Sequence, residues 1–338
     1  MLTEREGTIL RSIVRQYIAE ATPVPSLRIL KDTELQISPA TVRNEVVRLE
    51  AAGYLIRPHH AAGSVPSDAA YRHYVETLTD VELPVDERRL ISHLFYQAER
   101  KLSDWLSLAS SVTAQMVHTL AVVTAPKPVT CRFKHLELIS IGDSLVLLVL
   151  VLYGAKVRQE LLHFSRSVIQ LKLTGLANRL NETCNGLNRS EIASRVDFTE
   201  AEKPVAERVL RLMATEDGAE TEESYVDGLH YLLGEPEFSR QYRLLTLIEL
   251  AEQRSLLRSI IPRELASQGV QVVIGKENQT QAIQDYSVVI SRYGVPEKAL
   301  GTIGLVGLTR MPYVRAISVV DYIASVLSTL VADLYGGD

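Results

Sequence analysis

The stretch SPATVRNEVVRLEAAGYLIRPH, from Ser38 to His59, carries its own helix boundaries. Ser38 is placed to cap the first turn with its hydroxyl, and Pro39 suits the first helical position, where a missing N–H loses no partner. Gly53 offers a left-handed exit. Between these limits Val42, Val46 and Leu49 recur at i, i+4 and i+7, one narrow apolar stripe that must face a core. The opposite side carries Thr41, Asn44 and Arg48, with Arg43 on its flank. A helix built this way needs partners for its apolar stripe and keeps its hydrogen-bonding side chains away from them.

The flanking sequence supplies those partners. Ile9, Leu10, Ile13, Val14, Tyr17 and Ile18 form a helical stripe, and Thr3 followed by Glu6 is a capping box at its start. ATPVPS interrupts the helix, Ser26 caps a short second one to about Thr33, and ELQI connects to the third. Beyond Gly53, short extended pieces alternate with turn residues at Pro58, Gly63 and Pro66 before a helix restarts after Asp68. Three helices and a small hairpin is the order of a winged helix-turn-helix. A helix that enters the major groove needs short polar side chains and arginines on its free face, as Thr41, Asn44 and Arg48 provide. Arg43 and the helix N-terminus suit a phosphate. A solvated face on an ordinary bundle helix fits the same pattern. Nine Lys/Arg against eight Asp/Glu in Met1–Val75 do not single out a nucleic-acid binder.

Further along, Arg88–Thr124 reads as a long helical region, with Leu102, Trp105, Leu106, Ala109, Val112, Met116 and Leu120 near heptad spacing. Three strand-like runs follow, HLELISI, SLVLLVLVLY and KVRQELLHF, joined by GDS and GA, as in an antiparallel meander. The central run is apolar at every position and belongs mid-sheet. Residues from about Ser165 to Arg240 are helical, acidic and loop-broken, and a strong helix is expected over Tyr242–Ile261. GVQVVIG, DYSVVISRYG and KALGTIGLVG are strands, and an amphipathic helix closes the chain from about Pro312 to Leu334. Strands, a helical block and strands again describe one α+β domain interrupted by an insertion.

At 338 residues the chain has room for two or three domains, and 46% hydrophobic with 23% charged residues lets each bury a core. A net charge of −5 excludes a protein coated in nucleic acid. Cys131 and Cys184 have no metal-ligand spacing and suit a reducing compartment. The N-terminus lacks an apolar signal core, and Leu145–Tyr153 is only about half of a membrane span, so a soluble, cytoplasmic chain with no membrane partner is expected. GTIGLVG lacks dinucleotide-fingerprint spacing, and no nucleophile elbow, P-loop or acid–base pair is present, so no enzyme is expected. His59, His60 and His73 cluster around the hairpin without a completing Cys or carboxylate pair, which fits polar loop better than metal. His59 or His60 beside a phosphate is the better use.

Several motifs carry a likeness. TERE near the N-terminus, SPATVRN (Ser38–Asn44), GYL after it, PSD before the next helix, and SRYG and ALGTIGLVGLTRMPY near the far end resemble the heat-inducible transcription repressor HrcA family. The likeness runs from near residue 2 to the C-terminus. It implies a winged helix-turn-helix DNA-binding domain at residues 1–82, a GAF-like domain split over 86–165 and 241–338, and an inserted dimerising domain at 166–240. It implies a homodimer on an inverted-repeat operator upstream of chaperone genes, release by heat stress, the GroE chaperonin as modulator, and no metal or organic cofactor. The DNA contacts expected on these grounds are Ser38, Thr41, Arg43, Asn44, Arg48, Arg57 and His59. Where the family usually has SAGRIPT this chain reads AAGSVPS, so Ser64 replaces a wing arginine and Ser67 a threonine. A metabolite-sensing regulator that uses the GAF-like domain is the alternative.

Overall fold

Thr3 and Glu6 cap each other reciprocally. Thr3 Oγ1 accepts from the Glu6 N–H at 3.3 Å, and the Glu6 carboxylate accepts from the Thr3 N–H at 2.8 Å. Two donors that a helix start leaves open are thereby satisfied, and α1 runs Glu4–Glu20. The structure is a computed structural model that describes residues 2–32, 37–59, 63–79, 81–98, 101–127, 130–153, 156–164, 168–218, 224–233, 269–296 and 298–335. The helix expected over Tyr242–Ile261 lies outside the described residues, as does His60. The chain is α+β and divides into two units.

The first unit comprises 1–126, 223–295 and 301–338. Ile9, Leu10, Ile13 and Val14 of α1 are fully buried, and α1 packs on α2 (Ser26–Asp32) and α3 (Pro39–Ala51). A short antiparallel hairpin follows, β1 (Leu55–Ile56) with β2 (Val65–Pro66), then α4 (Asp68–Glu76). A separate antiparallel bridge joins Val24 and Ser64 through N–H···O bonds of 2.9 and 3.0 Å. Gly63 permits this approach, because a Cβ there would lie 2.4 Å from the Val24 carbonyl carbon.

The expected long helix over Arg88–Thr124 is three elements instead. These are α5 (Val85–Gln97), α6 (Leu102–Val117) and the strand β3 (Leu120–Thr124). His118 adopts a left-handed conformation (φ 55°) and caps α6 through its N–H to the Ala114 carbonyl. LAVVT then has every residue buried, which a fully covered strand accommodates. Leu120 therefore belongs to the sheet and not to the helical stripe.

The second unit comprises 127–222 and 296–300. β4 (Phe133–Ser140), β5 (Leu145–Leu152) and β6 (Lys156–His163) form an antiparallel sheet with β5 in the middle. α7 (Gln170–Cys184), α8 (Arg189–Arg195) and α9 (Lys203–Gly218) complete the unit. Leu136, Leu148, Leu150 and Leu152 share a core with Leu173 and Leu180 of α7 and Val205 and Met213 of α9. This differs from the expected boundary at 165, which placed the meander in the split domain. One face of the meander is covered by α7 and α9, so the strands fold with them. β5 sits mid-sheet, as expected, and its residues alternate between buried and half-exposed.

Edge strand β4 is closed by side chains of α7. Asn181 accepts from the Leu136 N–H (2.7 Å) and donates to its carbonyl (3.0 Å), while Gln170 accepts from the Ser140 N–H and donates to the Leu138 carbonyl, both at 2.8 Å. Two amides thus satisfy backbone groups that would otherwise template another strand.

The remaining elements return to the first unit. β7 (Ser224–Asp227), expected inside the 166–240 insertion, pairs with β3. α10 (Leu229–Leu233), β8 (Val270–Ile274), β9 (Tyr286–Val295), β10 (Ala299–Leu308) and α11 (Tyr313–Tyr335) complete the chain. The sheet order is β7-β3-β10-β9-β8, so β8 is an edge. α11 is long and apolar enough to cross a membrane by composition, but Ala316, Val319, Val320, Ile323, Leu327 and Val331 are buried and the helix packs on β9 and α6. It is a core helix.

Gly63→Ala should break the Val24–Ser64 bridge, because the contact is backbone against backbone and neither side can rotate away. A loss of about 1–3 kcal/mol is expected, read as a lowered melting temperature. An unchanged melt would contradict the close approach.

Candidate nucleic-acid interface

α3 starts where the sequence places it. Ser38 Oγ accepts from the Thr41 N–H at 3.1 Å, and Pro39 occupies the first turn. Val42, Val46 and Leu49 are buried to within 1% of full coverage. Glu45 is buried with them at 6% exposure and meets two guanidiniums, Arg5 at 3.6 Å and Arg48 at 3.4 Å. Its position between Asn44 and Val46 gave no sign of this role, although a carboxylate at i−3 from an arginine is a recognisable helix pair.

The candidate contact residues separate into groups. Arg43 and Asn44 are exposed and make no hydrogen bond or ion pair among the described residues. Thr41 is half-buried, and its hydroxyl lies 2.9 Å from that of Ser38, so the cap itself engages both groups. Arg48 keeps 68% of its side chain exposed despite its contact with Glu45. Arg57 is further from free: Nε donates to Glu50 Oε1 at 3.0 Å and Nη2 lies 2.8 Å from the same atom. His59 is exposed.

The two serines of the altered hairpin both reach back to the end of α3. Ser64 is buried and donates from Oγ to Glu50 Oε1 at 3.3 Å. Ser67 donates to the Gly53 carbonyl at 2.7 Å, across the left-handed turn (φ +81°) that ends the helix. Glu50 therefore gathers Arg57 from one side of the hairpin and Ser64 from the other. His73, grouped with His59 and His60 in the sequence, packs edge-on against Tyr54 at 6.1 Å and beside Gly7 instead. Among the described residues no group of three His, Cys, Asp or Glu is placed to hold a metal ion.

The helix after the hairpin is bolted to the edge of the five-stranded sheet. Arg72 Nε donates to Glu277 Oε1 at 2.8 Å, and its Nη2 reaches both Glu277 Oε2 and, at 2.7 Å, the Val272 carbonyl of β8. Glu277 also accepts from the Ile274 N–H at 2.8 Å, and Asp68 accepts from the Lys276 N–H at 3.1 Å. Tyr71 packs on Tyr313 with ring centroids 5.9 Å apart. Burial pushes the Glu277 carboxyl up, but the Arg72 and Ile274 hydrogen bonds and the Arg72 charge outweigh it and hold the group below its usual range. Beside this junction lies a cleft of about 240 Å³ lined by Tyr17, Asp68, Lys276, Asp285, Thr309 and Arg310.

A carboxylate with a depressed folded-state pKa stabilises while it is ionised. That contribution is complete above the ordinary carboxylate pKa and is lost as pH falls through the lower folded value. Glu277→Gln should therefore lower the melting temperature near neutrality, and its gap to the parent should narrow as pH goes from about 6 to about 4. A gap that stays constant or widens would contradict the ionised pair.

Comparison with known proteins adds a second line. The family model for the HrcA protein C-terminal domain matches residues 103–317. A heat-inducible transcription repressor HrcA from Dehalococcoides mccartyi is 49% identical over 337 residues, covering 99% of this chain and 98% of the relative. One from Herpetosiphon aurantiacus is 42% identical over 344 residues, covering 99% and 97%. A crystal structure described only as a hypothetical protein covers 98% of both chains with a TM-score of 0.60 at 22% identity, a likeness of fold alone.

Proposed function

The chain belongs to the HrcA family of heat-inducible transcription repressors, which are regulators and not enzymes, and we propose that it represses by placing α3 in the major groove of an inverted-repeat operator upstream of chaperone genes. In this reading α2 and α3 are the helix-turn-helix, the β1–β2 hairpin is the wing, and the five-stranded sheet with α6 and α11 is the GAF-like domain. The observation that carries it is the sidedness of α3: Val42, Val46 and Leu49 are buried while Arg43 and Asn44 stand exposed without partners among the described residues. Asn44 reads an adenine edge and Arg48 a neighbouring base, while Arg43 and the N-terminus of α3 near Ser38 hold phosphates. Thr41, engaged in the cap, contributes by keeping that N-terminus ordered. Arg57 and His59 meet the backbone from the wing, with Arg57 held in place by Glu50.

A homodimer presents two such helices to successive grooves on one face of the duplex. The open face of the β4–β6 sheet supports this assembly. Ile139, Val157 and Leu161 are 43%, 51% and 53% exposed there, around the half-exposed Leu147, Val149 and Val151 of β5. A contiguous aliphatic face of this kind is what a second copy covers. The protein acts in the cytoplasm, where heat withdraws the GroE chaperonin that otherwise maintains the DNA-competent state.

Fluorescence anisotropy against the promoter of the chaperonin operon, with scrambled duplex and a salt series, tests the reading. Asn44→Ala should cost about 1–3 kcal/mol per half-site on the operator and relax specificity at one base pair of each half-site. Arg43→Ala should weaken all duplexes alike and reduce the salt slope by about 1 per half-site. Equal losses for Asn44→Ala on operator and scrambled DNA would remove its base-reading role. Leu161→Glu, at an exposed position, should leave the fold intact and convert the dimer to monomer in sedimentation velocity; an unchanged dimer would contradict the interface.

A second reading, a regulator that senses a metabolite, would use the cleft beside α4. Its volume of about 240 Å³ falls below the usual range for organic ligands, roughly 300–1,000 Å³. Its two cations, Lys276 and Arg310, stand with two carboxylates, Asp68 and Asp285. A melting-temperature rise with small-molecule extract that Lys276→Ala removes would favour sensing over a filled junction.

A further inference from the structure

The outermost line of α3 differs from the one selected by hydrogen-bonding capacity. With about 100° per residue, the buried group Val42, Glu45, Val46 and Leu49 lies opposite Ala40, Asn44, Val47 and Ala51, all four of them exposed. Arg43 and Arg48 stand on the two flanks of that line. Along its centre the only polar side chain is Asn44, and the only large one is Val47, which is 55% exposed. Helix formation gives no reason for a valine here, since alanine is the better helix former at an exposed site.

We infer that Val47 reads the C5-methyl group of a thymine in the base pair next to the adenine contacted by Asn44. The inference rests on the DNA-binding reading and adds to it a determinant of sequence. Three residues along a helix advance about 4.5 Å, a little more than the roughly 3.4 Å between successive bases of one strand, so Asn44 and Val47 address adjacent pairs. The major groove presents the thymine methyl as its one apolar group, and asparagine matches the N6 and N7 edge of adenine. Branching at Cβ restricts Val47 to one strongly preferred rotamer in a helix, so its methyls are positioned by the backbone. Ala40, one turn before Asn44, and Ala51, one turn after Val47, keep the flanks of the pair small enough for the helix to approach the bases. The half-site is therefore read at its centre as two adjoining A·T pairs, with the arginines on the flanks.

The test uses the full chain and sites selected from random duplexes. Each thymine of the selected site is replaced in turn by deoxyuridine, which removes the methyl and leaves the pairing edge unchanged. For the parent, one replacement per half-site should weaken binding about fourfold, the contribution of one buried methyl. Val47→Ala should bind the thymine site more weakly and lose the preference for thymine over uracil at that position alone. Because Val47 is exposed, the variant should keep the parent's helix content and melting temperature. A Val47→Ala protein that keeps the preference, or a parent indifferent to every replacement, overturns the inference and leaves DNA binding standing. Failure to select any site overturns the DNA-binding reading along with it.

Discussion

The burial of one side of α3 is the constraint on which the rest of the N-terminal part depends. Val42, Val46 and Leu49 are closed off by α1 and α2, and this leaves the opposite side outward. The apolar stripe alone would permit some rotation of the helix. Glu45 narrows that freedom: a carboxylate at 6% exposure is costly to strand without its cations, and Arg5 of α1 lies 3.6 Å from it, with Arg48 of α3 itself adding to the pairing. Ser38 and Pro39 fix where the helix begins, and Ser67 ties down the turn where it ends. What is presented outward is therefore a defined line of side chains on a helix with little freedom to slide or turn.

Backbone groups at sheet edges explain two other features of the chain. On β4, the amides of Gln170 and Asn181 occupy N–H and C=O groups that face away from β5. On β8, the Val272 carbonyl is taken by Arg72, a residue of the helix that follows the hairpin. The first arrangement closes an edge against unwanted pairing. The second makes the edge a mount, so that the orientation of the N-terminal helices relative to the five-stranded sheet is set by one arginine, its partner Glu277 and the Asp68 contact to Lys276. Beside these polar contacts the buried ring of Tyr71 packs on that of Tyr313, so the mount is part polar and part core.

Local signals were legible in the sequence where the physics is local. The capping box at Thr3 and Glu6, Pro39, the i, i+4, i+7 stripe and the strand meander all act within a few residues, and each element appears at its expected place. Legibility failed where tertiary context decides. LAVVT continued a helical stripe as far as Leu120, and only the left-handed His118 and cover on both sides make it a strand. The uniform apolarity of Leu145–Leu152 pointed to the middle of the sheet, where it lies, but gave no sign that half its residues stand on an open face. At the candidate interface, the choice of Thr41, Asn44 and Arg48 followed hydrogen-bonding capacity. Exposure places Asn44 and Val47 at the centre, draws Thr41 into the cap, and pairs Arg57 with Glu50. The bond between Ser64 and Glu50 spans fourteen residues, and no periodicity could have disclosed it.

Proximity-directed cleavage of operator DNA tests the central claim most directly. The native thiols, Cys131 and Cys184, are buried, and burial pushes both up, Cys131 to about 12, so an iron chelate would label Ala40→Cys selectively. Ala40 stands on the outward line near the start of α3. With a dimer docked through both copies of α3, cutting should fall in two symmetric clusters on one face of the duplex, separated by about 10 base pairs or a multiple of it. Diffuse cleavage along the operator, or none above that of scrambled DNA, would contradict the placement of α3 in the groove.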